Sequence, residues 1–482
     1  MNTELLIGGQ HLPASDGRTF ERRNPITGEV ATRAAAASVE DAEAAVSAAA
    51  QAFTGWSTTG PNARRALLLK AADLLEAHSP EFTSLMAAET GATAAWVGFN
   101  VTLAVNVIRE AAALTTQITG ETIQSDKPGC LSITIRQPVG VVLSIVPWNG
   151  PIVLAARAVA YPIACGNTVI LKASEMCPAT HSLIGQLMLD AGFPPGVVNV
   201  ITNAPADAEK IVGTLIAHPA VRRVNFTGST RIGRMIAETA ARYLKPVLLE
   251  LGGKAPLIVL DDADLDAAVN AAAFGAFVNQ GQVCMSTERV IVDESVAADF
   301  LDKFRRKAES ISSGNPREHE VAVGTMIDRV PAERVGALVS EAIGDGAKLV
   351  TGGARDRSMM TPTILDLVTP RMRIYHEETF GPVTCIVRAS GPEDAIQIAN
   401  DTEYGLSAAV FGKDINRALS VAMRIDSGMC HINGPTVNDE AQMPFGGTKA
   451  SGYGRFGGRA VIDEFTELRW ITIEQAGQHY PF

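Results

Sequence analysis

Two hydrophobic patterns predict the elements of the N-terminal quarter of the chain. Residues 5–35 are short apolar stretches broken by glycine and proline turns, which indicates short strands. Ser38 with Asp41 three residues later is typical of a helix N-cap, and apolar residues at helical spacing continue to Trp56. The same spacing predicts two further helices, over residues 62–79 and 92–116.

From residue 139 onward, the pattern changes to short, continuous apolar runs rich in Val and Ile, separated by helical segments. Continuous apolar strands that alternate with helices are typical of a parallel sheet covered on both faces. The sequence therefore predicts a Rossmann-type domain in this region. Its strand runs are VGVVLSIVP, NTVILKAS, VVNVITN, VRRVNFTGS and PVLLELGG. Its helices are predicted over residues 152–164, 179–191, 206–218 and 231–244.

Two other regions extend this α/β prediction. A second alternation of strands and helices runs from residues 255–260 to 428–434, which indicates a second α/β domain. Residues 131–136, LSITIR, alternate apolar and polar positions, so one face of this strand is buried and the other is not. The late run LRWITIEQ is another candidate strand, and we expect it to pair with the arm at 131–136.

Length and charge limit the class of protein. A chain of 482 residues is too long for one core, so two or three domains are expected. The formal net charge is −11, and no basic tract suggests a nucleic-acid or membrane-surface partner. The N-terminus lacks a secretory signal pattern, and the apolar runs are expected to be too short to span a bilayer, so a cytoplasmic protein is expected.

Cysteine usage agrees with a reducing compartment. The six cysteines are too sparse for a disulfide framework, and no Cys or His spacing indicates zinc, so no metal is expected. They are Cys130, Cys165, Cys177, Cys284, Cys385 and Cys430.

Three residues have the chemistry of a covalent catalytic site. Cys284 lies in the polar, glycine-containing loop NQGQVCMSTER, where a reactive thiol is more common than a structural one. Glu250 ends an apolar strand before two glycines, and Asn149 follows a strand in SIVPWNGP. A thiol, an acid of raised pKa and an amide can act as nucleophile, base and oxyanion donor. A salt-bridged loop acid and a helix-cap asparagine remain the ordinary alternatives for the last two.

Two motifs favour a nucleotide. In FTGSTRIG, Gly228 and Ser229 stand at a helix N-terminus, which suits a phosphate, although such a turn is often only a turn. In NTVILKASE, Lys172 and Glu175 follow a strand end, where α/β sheets bind nucleotides, although a solvated loop pair is the alternative. An acid at Glu175 would repel a 2′-phosphate and so favours NAD over NADP.

Seven motifs in order resemble the aldehyde dehydrogenase superfamily over nearly the whole chain: PWNGP, LKASE, FTGST, LELGGK, GQVC, EETFGP and PFGGTKASGYGR. The resemblance implies an α/β fold of three parts. An NAD-binding Rossmann-type domain takes residues 1–117 and 139–250, and a catalytic α/β domain takes 251–448. A small β oligomerisation element takes 118–138 and 449–482, which implies a homodimer or a dimer of dimers.

The resemblance also implies roles for single residues. Cys284 is the nucleophile, Glu250 is the general base for thioester hydrolysis, and Asn149 is the oxyanion donor. The remaining matched positions are expected to contact the NAD cofactor: Ile145, Trp148, Lys172, Glu175, Phe226, Gly228, Ser229, Gly233, Leu251, Glu378 and Phe380.

The substrate pocket departs from the common pattern of the family. Gly150 stands where many relatives have a bulky aromatic residue, and Arg157 replaces a residue that is often aromatic. We expect room beside the thiol and one arginine in an apolar wall, which suits an aromatic aldehyde such as salicylaldehyde or benzaldehyde. This pattern resembles the salicylaldehyde dehydrogenases of bacterial naphthalene breakdown. The other expected wall residues are Trp96, Val283, Met285 and Phe445.

Other functions remain as alternatives. An aliphatic aldehyde or a semialdehyde could be oxidised by the same mechanism. An acylating relative would pass the acyl group to CoA, but such relatives typically lack a base at the position of Glu250. A non-catalytic relative commonly loses the thiol or its partners, and a thiol hydrolase would need no nucleotide site.

Overall fold

The computed structural model describes residues 1–475 and 480–482, and the described chain consists of β-sheets packed between helices. The helices are Val39–Trp56, Pro61–Ala77, Ser79–Glu89, Ala94–Leu114, Pro151–Ala164, Pro178–Ala191, Ala208–Ala217, Thr230–Arg242, Leu265–Phe277, Ala297–Glu309, Arg329–Gly344, Arg373–His376, Pro392–Asn400, Ile415–Ala422 and Ala460–Phe465.

The first sheet has eight strands, and its five central strands are parallel. Neighbouring residues of one strand, such as Val142 and Leu143, belong to apolar clusters on opposite faces, so helices cover the sheet on both sides. The predicted Rossmann-type sheet is therefore confirmed. In spatial order its strands are Gly452–Tyr453, Val247–Glu250, Val221–Thr227, Val141–Ile145, Thr168–Lys172, Val198–Ile201, Leu5–Ile7 and Gln10–Leu12.

The carboxyl ends of the parallel strands form one edge of this sheet. Ile145 pairs in register with Lys172 on one side and with Phe226 on the other, and Thr227 pairs with Glu250. Parallel strands bring such end residues to the same edge, which is where ligands bind in open α/β sheets.

The second sheet has seven strands, all parallel except for Lys348–Thr351 at one edge. The loop that carries Cys284 enters this sheet at its central strand, Thr287–Asp293. The predicted second α/β alternation is therefore present. In spatial order the strands are Lys348–Thr351, Thr363–Asp366, Val383–Ala389, Thr287–Asp293, Ala255–Val259, Ser407–Phe411 and Met429–Ile432.

A third, antiparallel sheet joins distant parts of the chain, and we call it the bridging sheet. Its strands are Thr466–Ile473, Leu131–Pro138 and Thr122–Gln124, in that spatial order. The expected pairing of the late strand with the 131–136 arm is present, in register from Thr466 opposite Pro138 to Ile473 opposite Leu131. Part of the expected 449–482 element differs, because Gly452–Tyr453 joins the first sheet. Residues 476–479 of that element lie outside the described residues.

Two small sheets complete the strands. One consists of Asn2–Thr3, Val30–Ala35 and Thr19–Arg23, and the other of Arg355–Asp356 and Met359–Met360. The predicted cap is also present, since Ser38 and Asp41 form a capping box at the start of helix Val39–Trp56.

The helices differ from the sequence prediction in two respects. Ser79–Glu89 is a helix that the pattern did not indicate. Helix Ala94–Leu114 is long and apolar enough to cross a bilayer by length and composition, contrary to the expectation from the sequence. It packs against Pro61–Ala77 and Pro151–Ala164, and 61% of its apolar window is buried. These contacts are typical of the core helix of a globular domain.

Candidate active site

A cavity of about 790 Å³ lies where the carboxyl edge of the first sheet meets loops of the second domain. It brings together Cys284, Glu250 and Asn149, which come from three separate segments of the chain. Its predicted lining residues also include Trp148, Gly228, Ser229, Leu251, Glu378 and Phe380. The residues that the sequence did not indicate are Pro147, Thr227, Thr230, Arg231, Gly252, Arg334, His376, Glu377, Glu403 and Tyr404.

The loop before Cys284 has an unusual backbone. Asn279, Gln280 and Gly281 all have left-handed φ angles, of 48°, 57° and 67°. A β-carbon at Gly281 would lie 2.0 Å from the carbonyl oxygen of Gly381, so only glycine fits there. The Gln282 side chain accepts a hydrogen bond of 2.8 Å from the Ile327 backbone N–H. These constraints fix the position of the thiol.

The environment of Cys284 favours the protonated thiol over the thiolate. Burial, and then the negative charge of Glu250, raise its pKa well above the ordinary value for cysteine. The thiolate is the reactive nucleophile, so Cys284 needs an acceptor for its proton.

Glu250 has the properties of that acceptor. It is 1% exposed, and its Oε1 atom has no hydrogen-bond partner among the described residues. Burial raises the pKa of Glu250 to about 7, while contact with the Cys284 thiol and the charge of Arg157 oppose the rise. A carboxylate of this pKa can take and release a proton near neutral pH.

Asn149 is held with its amide beside the cysteine loop. Its backbone carbonyl accepts hydrogen bonds from Trp96 Nε1 at 2.8 Å and from Asn279 Nδ2 at 3.1 Å. Its own Nδ2 donates to the Gln282 carbonyl at 3.1 Å, and the described residues offer no acceptor to the second N–H of this amide. The backbone N–H of Cys284 has no acceptor among the described residues. These two donors can hold an oxyanion.

The cavity also fits a dinucleotide. Ser229 is the N-cap of helix Thr230–Arg242 and makes no side-chain capping bond, so the first amides of the helix remain available to a phosphate. Trp148 and Phe380 meet edge to face, with ring centroids 5.8 Å apart, and provide an aromatic surface in the same cavity.

The Glu378–Phe380 segment is tightly held. The Glu378 carboxylate accepts a hydrogen bond of 2.9 Å from the Gly253 N–H, and burial followed by the charge of Glu288 raises its pKa. Glu288 accepts the backbone N–H groups of Thr379 and Phe380. Phe380 has a left-handed φ of 48°, a conformation that these bonds stabilise.

Sequence and structure comparisons agree with this geometry. The chain matches the model of the aldehyde dehydrogenase family over residues 12–471. It belongs to the aldehyde dehydrogenase family. The chain is 60% identical over 481 residues to a vanillin dehydrogenase of Pseudomonas fluorescens, and the match covers 100% of both chains. It is 55% identical over 483 residues to a salicylaldehyde dehydrogenase of Pseudomonas putida, again with 100% of both chains covered.

A solved structure has nearly the same fold. The crystal structure of a salicylaldehyde dehydrogenase from Pseudomonas putida G7, complexed with salicylaldehyde, superposes with a TM-score of 0.99. The identity is 55%, and all of each chain is covered. The expected family and fold class are therefore confirmed for this aldehyde dehydrogenase.

Some of the expected cofactor residues of this aldehyde dehydrogenase lie beside the cavity and do not line it. Lys172 is 6% exposed, and its ammonium lies 3.4 Å from the Glu175 carboxylate. This pair follows the strand next to that of Ile145. Two glycines allow close packing where helix Thr230–Arg242 begins. A β-carbon at Gly228 would collide with the Phe226 side chain, and one at Gly233 would collide with the Leu251 side chain.

The residues expected to form the substrate wall are buried, and none of them lines the large cavity. Trp96, Val283, Met285 and Phe445 belong to one core cluster, against which Cys284 packs. The space at Gly150 is smaller than the sequence suggests. A β-carbon there would lie 3.3 Å from Val153 Cγ1 and 3.4 Å from the unpartnered Asn100 Oδ1.

Arg157, which the sequence places in the substrate wall, has its guanidinium paired with a carboxylate of the protein. It is 2% exposed and is absent from the lining of the large cavity. Its Nη2 lies 2.5 Å from Asp439 Oδ2, and its Cζ lies 4.5 Å from the centroid of the Phe445 ring. Arg157 therefore packs on Phe445, and its charge is already paired.

The residues that the sequence prediction missed act through contacts between distant segments. Asn279 and Gln282 lie in the cysteine loop NQGQVCMSTER, but the sequence indicates no role for them, and Glu288 is one acid at the start of an apolar strand. Arg334 donates to the carbonyls of Glu378 and Thr379, which lie 44 and 45 residues away in the chain. The only available signal was an isolated charge next to an apolar run.

Proposed function

We propose that this aldehyde dehydrogenase oxidises aromatic aldehydes to carboxylic acids, through a thioester on Cys284 that water hydrolyses, with NAD as the hydride acceptor. The observation that carries the proposal is the meeting of Cys284, Glu250 and Asn149 in one cavity, with a buried base whose pKa is about 7. The names of the similar vanillin and salicylaldehyde dehydrogenases support the aromatic class.

The first half of the reaction forms the thioester. Glu250 accepts the proton of the Cys284 thiol, and the sulfur attacks the carbonyl carbon of the aldehyde. The Asn149 amide and the Cys284 N–H stabilise the resulting oxyanion. When bound, NAD supplies the acceptor for the hydride that leaves this carbon. The carbonyl then re-forms and leaves an acyl group on the sulfur.

The second half releases the acid. Glu250 first releases to solvent the proton that it took from the thiol. It then takes a proton from water, and the hydroxide attacks the thioester carbon. The same two N–H donors hold the second oxyanion. The C–S bond then breaks, the sulfur leaves as a thiolate, and the carboxylic acid departs. Glu250 serves both halves because its pKa lies near neutral pH.

We propose NAD in preference to NADP. The Lys172 and Glu175 pair follows the strand next to that of Ile145, at the carboxyl edge of the first sheet. At that edge a carboxylate accepts ribose hydroxyls and repels an additional phosphate. Glu175→Gln should narrow the preference for NAD, measured as the ratio of kcat/KM for the two cofactors. An unchanged ratio would contradict this role.

The substrate class is tested with a panel of aldehydes: salicylaldehyde, vanillin, benzaldehyde, a straight-chain aliphatic aldehyde and a semialdehyde. NADH formation is followed by absorbance, with and without CoA. We expect the highest kcat/KM with the aromatic aldehydes, because the wall beside the thiol is apolar and partly aromatic. A higher value for the aliphatic aldehyde or the semialdehyde would reject the aromatic proposal and keep the mechanism. Dependence on CoA would reject hydrolysis.

We also propose that the protein assembles as a homodimer or a dimer of dimers through the bridging sheet. This sheet exposes large apolar side chains, and exposed apolar surface is typical of an interface. Ile123, Leu468 and Trp470 share one face of the sheet, which we propose as the interface, and Leu131 and Ile473 lie on the opposite face. The expected role in naphthalene breakdown requires that salicylaldehyde be a substrate of the protein.

A further inference from the structure

The Arg157–Asp439 pair is a buried charge pair within the apolar wall of the proposed aldehyde site. The side chains of Arg157 and Asp439 are 3% and 7% exposed, and 2.5 Å separates their charged atoms. The Arg157 guanidinium also lies over the rings of Phe445 and Phe456. Phe445 belongs to the cluster against which Cys284 packs. The charge of Arg157 also acts on Glu250, so the pair lies near the catalytic groups.

An arginine in such a wall would normally bind an anion. Guanidinium groups form strong, directional bonds with carboxylates. Arg157 has one carboxylate partner among the described residues, and that partner is supplied by the protein itself. Asp439 therefore cancels the charge that would otherwise attract an acidic substrate.

A second cavity strengthens this charge argument. Asp439 also lines a cavity of about 380 Å³ that shares no lining residue with the larger one. Its other ionisable lining residues are Arg109, Glu110 and Glu440, and Arg109 is already paired with Asp73 and Glu76. This cavity therefore offers Asp439 no second cation, and among the described residues its carboxylate is paired with Arg157 alone.

We propose that Asp439 is a specificity-determining residue, which neutralises Arg157 and so excludes aldehydes that carry a carboxylate. This inference rests on the proposed function, and it decides between two of the substrate classes considered above. Neutral aromatic aldehydes are accepted, whereas semialdehydes and formylbenzoates are rejected. Asp439 acts through Arg157 and need not touch the aldehyde.

The test replaces Asp439 by asparagine and compares 3-formylbenzoate with its methyl ester and with benzaldehyde. The methyl ester matches the shape of the acid without its charge. In Asp439→Asn we expect the kcat/KM ratio of 3-formylbenzoate to methyl ester to rise at least about tenfold, as a new charge-assisted bond forms. The gain should appear mainly as a lower KM for the acid. A general structural defect would lower both activities and would not raise this ratio.

Three variants serve as controls. Glu440→Gln removes an equal charge from the same loop without touching Arg157, and it should leave the ratio unchanged. Asp439→Glu keeps the charge and should keep the wild-type ratio. Arg157→Met combined with Asp439→Asn should lose the gain, because the cation is gone. An unchanged ratio in Asp439→Asn, or an equal gain in the double variant, would overturn the proposal.

Folding of the variant is measured separately, because loss of one partner leaves a buried charge unpaired. If Asp439→Asn does not fold alone, isophthalate should restore its thermal transition and isophthalamide should not, since only the acid replaces the lost carboxylate. Equal effects of the two compounds would contradict the proposal. Turnover of benzaldehyde by the wild-type protein tests the proposed function independently, so the two failures are distinguishable.

Discussion

At the residue scale, the thiol and the carboxylate of the site control each other's protonation. The negative charge of Glu250 raises the pKa of the Cys284 thiol, and contact with the thiol in turn stabilises the charged form of Glu250. The thiol must pass its proton to Glu250 before the sulfur can attack the aldehyde. The site is therefore ready for catalysis only when Glu250 can accept a proton, which places the acid limb of the pH profile of kcat near pH 7.

Cys284→Ala removes the nucleophile and should abolish NADH formation, because no other described thiol lines the cavity. Binding of NAD should persist and is measured by titration calorimetry. Cys130→Ala, a change at a cysteine far along the chain from the site, should retain full activity. Turnover by Cys284→Ala would contradict the covalent mechanism.

Glu250→Gln keeps the shape of the side chain but removes the base. Because Glu250 takes the thiol proton and later activates water, rapid mixing should show a slower burst of NADH followed by slow turnover. Glu403→Gln changes an exposed acid of the same cavity and should behave like the wild type. A burst as fast as that of the wild type would show that Glu250 acts only in thioester hydrolysis.

The same substitution should stabilise the protein at alkaline pH. Burial raises the folded-state pKa of Glu250 from 4.5 to about 7, so the folded state holds this proton more tightly than the unfolded state. The free energy of unfolding therefore falls as pH rises from 4.5 to about 7, by a total on the order of 3 kcal/mol. In guanidinium unfolding, Glu250→Gln should recover most of this free energy of unfolding at pH 8 and little of it at pH 5. An equal gain at both values would contradict the raised pKa.

The sequence predicts the catalytic residues better than the residues that hold them in place. Cys284, Glu250 and Asn149 stand in motifs with a recognisable local pattern, and the structure brings them together. Asp439 and Glu288 act through partners 282 and 91 residues away, on Arg157 and Thr379. Local periodicity carries no information about such pairs. For this reason the paired state of Arg157 and the limited space at Gly150 could not be read from the chain.

At the scale of elements, two glycine positions allow loops to approach the nucleophile. A β-carbon at Gly253 would lie 2.3 Å from the carbonyl oxygen of Cys284, and one at Gly252 would lie 2.7 Å from the Glu378 carboxylate. The strand that ends at Glu250 therefore continues into a turn on which both the thiol loop and the Glu378 segment rest.

Gly253→Ala should displace the cysteine loop and reduce kcat by about a hundredfold, since displacements near 1 Å have effects of this size. Gly60→Ala is a suitable control, because a β-carbon at Gly60 would meet nothing within 4 Å. Activity is measured with benzaldehyde, and thermal unfolding monitors stability. Full activity in Gly253→Ala would contradict the close approach.

The pattern of the sequence predicts strands in this fold more reliably than the ends of helices. Buried parallel strands such as Thr168–Lys172 are continuous apolar runs and are unmistakable. Helix Ser79–Glu89 follows Pro61–Ala77 with one intervening residue, His78, so the pattern did not indicate where one helix ends and the next begins. Proline in the first turn is the local signal that marks the new start.

At the scale of the whole molecule, the bridging sheet is the expected contact between subunits. Leu468 and Trp470 lie on one face of its last strand and are 60% and 71% exposed. Trp470→Glu places a charge on that face and should shift the assembly toward monomers in sedimentation velocity experiments. Arg469→Ala, on the opposite face of the same strand, should leave it unchanged. An unaltered assembly in Trp470→Glu would place the interface elsewhere.

The chain order of the paired strands has a consequence for synthesis. Glu250 pairs with Gly452, and Arg136 bonds with Thr466, which lies 330 residues later. A ribosome must therefore translate almost the whole message before the strand of the base gains its outer neighbour. Until then the nascent chain exposes an incomplete sheet edge, a surface on which chaperones act. Activity should therefore appear abruptly near the end of translation and should not increase in proportion to chain length.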